Sequence, residues 1–492
     1  MAAASDMVPM TRKAGVRRHL MLAGMVLLFA IAAGTPDLRA AEAPRSVELV
    51  PCTLPGVERP ARCGSLGVAE NPSAPQGRQL SIGIAVVPAV DRKHDDPIVL
   101  LMGGPGESAI SAAAGYVQQF ASLLQERDLL LVDQRGSGRS GALQCDLAAT
   151  RDPGVRLKDL FPLDAVESCE QRLRKNADLS QYIYARFADD LEQVRHALDY
   201  GPLNLFAGSY GTRAEQVYLR AYPHSVRTAY VGSVVPLDVP TPLTMAKTAQ
   251  SALDQLAADC AADAACSAAF PNFKDEFRDV FAKLDAGTVR IAVAGHDGTW
   301  PLYRGRVAEW LRSMLYHPGD AATLPWTIHR AHQGDWSTMV DGIVAKESDP
   351  DFSFGLLFAI TCSEDIPFIR EADVGPQSQG TFLGDDRVRQ QQAACRFWPR
   401  ATLPPAYRKP VHSSVPALFV TGDHDGGTPL WFTPHVMAGF SQAVEVVARG
   451  QGHTDWNACV AGLYEQLVRS GSVVGLRGAA CPPVPLPAFK TK

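Results

Sequence analysis

The chain has 492 residues, 46% of them hydrophobic, with 47 Lys and Arg against 52 Asp and Glu for a net charge of −5. That length suits one large domain carrying an insertion, or two domains. The slightly acidic balance offers no electrostatic footprint for nucleic acid or for an anionic membrane, which excludes both as partner classes.

Taken in chain order, the first feature is a basic stretch, Arg12, Lys13, Arg17 and Arg18, ahead of an uncharged apolar run from Leu20 to Ala33. The run is shorter than the roughly 20 residues a spanning helix needs. It ends at Gly34-Thr35-Pro36, and Leu38-Arg39-Ala40-Ala41 follows, the layout of a cleavable signal peptide over residues 1–40. The protein is therefore expected to be exported, periplasmic or secreted, with no membrane attachment once the signal is removed. Residues 1–40 hold five basic and two acidic residues, so the remainder carries 42 against 50, a charge of −8. All ten cysteines come later, and an even count in an exported chain argues for disulfides. Connectivity does not follow from sequence. The simplest arrangement joins neighbours: Cys52–Cys63, Cys145–Cys169, Cys260–Cys266, Cys362–Cys395 and Cys459–Cys481. No C-x-x-C pair occurs and no zinc-ligand spacing is matched, so no metal is expected.

Ser81–Val87 alternates as a half-buried strand does, and Pro97–Met102 and Leu129–Val132 are continuous apolar runs suited to buried strands. Phe187–Leu198 has helical periodicity and leads into a strand over Leu203–Phe206, a helix over Thr212–Ala221 and a strand over Arg227–Val231. Pro416–Val420 and Val444–Val447 read as two more strands. Strands alternating with helices predict an α/β fold with a mostly parallel central sheet. Between Val234 and Ser414 the pattern is helical: Pro242–Ala258, Phe273–Leu284, Arg306–Leu315 and Pro325–His332. The organisation expected is a core over 41–234, a helical cap inserted over 235–413, and the rest of the core over 414–492.

The chemistry is carried by loops that follow strands. Ala207-Gly208-Ser209-Tyr210-Gly211 must turn sharply from strand into helix, the setting of a nucleophile elbow, with Ala207 in place of the usual first glycine. Asp423 and Asp425 follow the Pro416–Val420 strand, and His453 in Gly450-Gln451-Gly452-His453 follows Val444–Val447. Serine, acid and histidine in that order suit acyl transfer: Ser209 attacks, His453 moves the proton and an aspartate orients the imidazole. Gly103-Gly104-Pro105-Gly106 offers backbone N–H groups with no side chain in the way, so the N–H of Gly104 and that of Tyr210 form the expected oxyanion hole. Asp133, Arg135 and Arg139 read as a hydrogen-bonded support beneath it, and His329 and His332 as solvated side chains on a polar helix.

GGPG after one strand, DQRGSGRS after the next, GSYGT at the elbow, D-x-x-T-P and G-x-G-H together resemble the α/β-hydrolase branch of proline iminopeptidases and tripeptidyl aminopeptidases. The resemblance spans the chain beyond the signal and is nearest the exported tripeptidyl-aminopeptidase-like group. It implies the α/β-hydrolase fold, the roles just given, and Asp425 rather than Asp423 as the acid. Met102 departs from the histidine typical of the iminopeptidases. The implied function is an exported serine aminopeptidase acting on peptide N-termini without a cofactor. A carboxylesterase or amidase on the same machinery is the alternative, and a non-catalytic binding protein a remote third. An aminopeptidase needs an acid for the substrate ammonium, and the candidates are Glu364, Asp365 and Glu107.

Overall fold

In a computed structural model of the protein, residues 47–147, 152–345 and 351–492 are described. The signal-peptide expectation over 1–40 falls outside them. Eleven strands are present among the described residues: β1 (Val50–Leu54), β2 (Val57–Ala69), β3 (Gln79–Val87), β4 (Ile98–Leu101), β5 (Leu129–Val132), β6 (Leu203–Gly208), β7 (Val226–Gly232), β8 (Arg290–Ile291), β9 (Trp300–Pro301), β10 (Ala417–Gly422) and β11 (Ala443–Ala448). Nine form one sheet in the order β1-β2-β3-β5-β4-β6-β7-β10-β11. The strands from β5 to β11 run parallel to their neighbours, while β1, β2 and β3 pair antiparallel at one end, and β3 pairs antiparallel with β5. This is the α/β-hydrolase fold.

β4 and β5 are buried at every residue, as apolar runs covered on both faces must be. On one face Phe206 stacks on Tyr230, with ring centroids 4.3 Å apart, and Phe120, Trp456 and Tyr464 meet them edge-on or tilted. Strand β6 is thereby fixed beside β7, and the parallel ladder places the loops after β4, β5, β6, β10 and β11 at one sheet edge, where such sheets bind ligands.

β7 and β10 are neighbours in the sheet, yet the chain between them makes the helical excursion. The helices Thr241–Ala262, Phe273–Asp285, Arg304–Met314, Leu324–His332 and Ser337–Ala345 lie along it. They build a second hydrophobic cluster of their own, from Ala246 to Ile343 with Leu157, Phe382 and Leu383. From Phe354 onward the excursion behaves differently. The Phe354–Glu364 helix is buried from Gly355 to Glu364 and packs into the main core, Phe358 lying 5.1 Å from both Phe161 and Trp398.

All ten cysteines are joined, in the five neighbour pairs Cys52–Cys63, Cys145–Cys169, Cys260–Cys266, Cys362–Cys395 and Cys459–Cys481. Among the described residues no helix is long and apolar enough to cross a membrane.

Candidate active site

Ser209 directly follows β6 at φ 54°, in the left-handed region that a serine rarely occupies. Its own N–H donates to Gly232 O (3.0 Å), and its carbonyl accepts from the Thr212 hydroxyl (2.6 Å). This strain is held by the surroundings and turns the hydroxyl out of the strand, as an elbow requires. Ala207 is fully buried in register with Leu101 and Val231, so its methyl is accommodated in the sheet.

His453 lies 28 residues past Asp425 in sequence and directly against it in space: Nδ1 is 2.9 Å and 3.0 Å from the two carboxylate oxygens. Asp425 also accepts from the Gly427 and Thr428 N–H groups and the Thr428 hydroxyl, each at 2.7 Å. Burial would push this carboxyl up, but the adjacent His453 and these donors hold it below the usual carboxylate range. Asp423 points elsewhere, to His424 Nδ1 (2.6 Å) and Gly450 N–H (2.7 Å), and His424 reaches on to Asp259 at 3.0 Å. His424 therefore bridges Asp423 and the Thr241–Ala262 helix.

One residue that sequence reasoning did not single out completes the histidine's setting. The carbonyl of Tyr316 accepts the His453 N–H at 2.7 Å, and its ring lies 4.8 Å from the imidazole. The Leu315–Tyr316 backbone comes so close that a Cβ at Gly426 would sit 2.3 Å from Leu315 O, and one at Gly452 2.2 Å from Tyr316 O. Gly426 and Gly452 are thus explained by close approach of the inserted chain.

Ser209, Tyr210, Gly104, Glu107 and His453 line one cavity of about 700 Å³, within the usual size of small-molecule sites. Gly104 has φ +103°, which excludes a side chain there. The loop behind it is tied down by Asp133, whose carboxylate accepts from the Ser108 hydroxyl (2.8 Å), Ile110 N–H (3.0 Å) and Arg139 N–H (2.7 Å). Arg135 is buried in a two-pronged pair with Asp190, both contacts at 2.7 Å. Arg139 reaches Asp133 with its backbone N–H, while its side chain is exposed.

Two of the three amine candidates are placed away from the cavity. Glu364 is buried, accepting from Tyr184 N–H (3.0 Å) and the Tyr407 hydroxyl (2.5 Å). Asp365 is fully buried against Arg213 (2.9 Å) and Thr241 N–H (3.0 Å), with the Tyr210 hydroxyl at 3.3 Å. Both carboxylates are taken up by protein donors in the core, so neither is available to a substrate amine. Of the three, Glu107 alone lines the cavity. His329 also departs from expectation: its Nδ1 meets Glu276 at 3.0 Å, and His332 lies 3.7 Å from Asp279.

Comparison with known proteins fits this architecture. Residues 96–285 match the profile described as "alpha/beta hydrolase fold", and residues 380–481 that described as "TAP-like protein". The chain is 27% identical to the serine protease Hip1 of Mycobacterium tuberculosis (strain H37Rv) over 78% of its length and 80% of that protein's. It is 23% identical to the tripeptidyl aminopeptidase of Streptomyces lividans over 59% of this chain and 57% of that one. With the proline iminopeptidase of Aeromonas sobria it shares 30% identity over 30% and 31% of the two chains. The protein is an α/β-hydrolase-fold enzyme of the serine hydrolase class. Within that class it resembles the branch of the proline iminopeptidases and tripeptidyl aminopeptidases.

Proposed function

We propose that the protein is an exported serine aminopeptidase that releases residues or short peptides from peptide N-termini. Ser209 Oγ attacks the scissile carbonyl as His453 takes its proton. The imidazolium, oriented and stabilised by Asp425, gives that proton to the departing amine, leaving an acyl-enzyme. Water then attacks the ester with His453 again as base, releasing the carboxylic acid and regenerating the serine. The N–H groups of Gly104 and Tyr210 stabilise the oxyanion in both halves. No cofactor enters this cycle. The observation that carries the reading is Ser209, strained at an elbow, in one cavity with a histidine whose Nδ1 is held by a buried aspartate.

Glu107 is the acid that receives the substrate ammonium, being beside the oxyanion loop and in the cavity wall. Glu309 also lines the cavity, but Arg306, Arg312 and Arg387 surround it, a setting that repels a cation. The helices from Thr241 to Ala345 act as the cap, and the Tyr316 carbonyl brings the cap to the histidine. Five disulfides suit an oxidising compartment, which supports export.

The test is twofold. A fluorophosphonate probe should label the wild type and not Ser209→Ala; labelling that survives the substitution overturns the nucleophile. Peptidyl amides with a free amine should be cleaved roughly 10- to 150-fold faster than their N-acetylated forms, the range for one charge-assisted contact. Equal rates would replace the aminopeptidase with an esterase or amidase.

A further inference from the structure

One part of the cavity wall is crowded with guanidinium groups. Arg156 ends the short Pro153–Arg156 helix, Arg306 and Arg312 come from the Arg304–Met314 helix, and Arg387 comes from the Asp386–Ala394 helix. Arg306, Arg312 and Arg387 all act on a single carboxylate, Glu309. Its Oε2 accepts from Arg312 Nε (2.9 Å) and an Arg387 terminal nitrogen (3.2 Å). Its Oε1 is buried without a hydrogen-bond partner among the described residues.

Three other carboxylates of this region face other cations. Asp285 and Asp386 pair with Arg304 at 2.9 Å and 3.2 Å, and Asp159 lies 3.7 Å from Lys158. Arg306 and Arg156 are left with backbone carbonyls. The Nε of Arg306 donates to Arg156 O (2.9 Å), and Arg156 donates to Val344 O. Neither has an ion-pair partner among the described residues, although burial disfavours the Arg306 charge and Arg156 adds repulsion, with only Glu309 opposing them. Among the described residues Glu309 is thus shared by Arg306, Arg312 and Arg387, and because an arginine keeps its charge this half-buried cluster holds more positive than negative charge and suits an anion from outside.

We propose that Arg306, seconded by Arg156, forms a subsite for a substrate carboxylate within the cavity that holds Ser209. This deepens the aminopeptidase reading and rests on that cavity being the substrate site. A guanidinium takes a carboxylate through two parallel hydrogen bonds. Two parts of a peptide supply such a carboxylate: an acidic side chain, or the C-terminus of a peptide short enough to fit.

The experiment is calorimetric binding to full-length Ser209→Ala protein, which cannot turn over its ligand. One pair of peptides differs by Glu against Gln, the other by a free against an amidated C-terminus. At least one acid should bind roughly 10- to 100-fold more tightly than its neutral partner. The pair that discriminates identifies the source of the carboxylate. Adding Arg306→Met should abolish the preference, and Arg306→Lys, which keeps the charge but loses the fork, should retain part of it. Each variant is first matched to Ser209→Ala in thermal unfolding; if Arg306→Met fails that match, Arg156→Met and the Lys variant carry the comparison. No preference in either pair, or one that survives loss of the Arg306 guanidinium, overturns the subsite. Because binding needs no nucleophile, that failure stays distinct from failure of the Ser209 labelling test.

Discussion

His453 meets both oxygens of Asp425, whereas Asp423 is spent on His424 and the Gly450 N–H. Exchanging one oxygen for an amide therefore has different consequences at the two positions. Asp425→Asn should leave the imidazole in the wrong tautomer and lower kcat/KM by several orders of magnitude, about 10⁴ in serine protease triads. Asp423→Asn should cost far less, and steady-state kinetics on one peptidyl amide would tell them apart. If Asp423→Asn proves the crippled variant, the acid has been misassigned. The three loops were legible in the sequence because each is a short polar motif after an apolar run. Tyr316 was not, since it acts through a backbone carbonyl, which leaves no mark on residue type. Arg306, Glu309 and Arg312 did leave one: charges at every third position of a predicted helix imply a polar face with something to meet.

Among the elements, the Gly103–Gly106 loop and the Asp133–Ser140 loop depend on one another. Asp133 Oδ1 accepts from Ser108 and Ile110, and Oδ2 from Arg139 N–H, all within a buried site. An asparagine must turn its NH₂ toward one of those donors, leaving a buried mismatch. Asp133→Asn should destabilise the protein by about 1–3 kcal/mol and, if the proposed oxyanion hole at Gly104 operates, lower kcat with KM less affected, because that loop loses its anchor. Denaturant unfolding and kinetics check this together; unchanged kcat with lowered stability would restrict Asp133 to a folding role. The elements most easily read were those with one exposed face, such as Phe273–Asp285. The Phe354–Glu364 helix escaped because burial on all sides removes the amphipathic stripe that periodicity detects. That same burial puts Glu364 and Asp365, candidates for the substrate ammonium by sequence, in the core. The β1–β2 hairpin was missed for another reason: it is an edge pair carrying many exposed residues, and Cys52–Cys63 stands in for an apolar core.

At the scale of the molecule, Glu364 joins three distant stretches of chain. It ends the Phe354–Glu364 helix of the excursion, accepts from Tyr184 at the start of the Tyr184–Ala197 helix, and meets Tyr407 ahead of β10. Burial pushes its carboxyl up to about 7, although the Tyr407 and Tyr184 hydrogen bonds and Arg213 pull the other way and Asp365 adds repulsion. In the unfolded chain the same group ionises near 4.5. Below that pH both states are protonated and Glu364 costs nothing. Between about 4.5 and 7 the unfolded state ionises while the folded state keeps its proton, so stability falls as pH rises, and above about 7 the loss levels off. The full difference amounts to about 3 kcal/mol by linkage, an order-of-magnitude figure. Glutamine has the same shape, and the Tyr407 hydroxyl can turn to accept from its amide. Glu364→Gln should therefore match or slightly trail the wild type at pH 4.5, overtake it as pH rises, and hold a constant advantage above pH 7. Buried Glu215, also pushed well up by burial, declines in the same direction in both proteins, so the difference between the two unfolding curves isolates Glu364. Urea unfolding from pH 4.5 to 8 measures it. A difference that does not change with pH would mean that Glu364 ionises alike in the folded and unfolded chains, and that the three stretches are joined by a charged carboxylate rather than a protonated one.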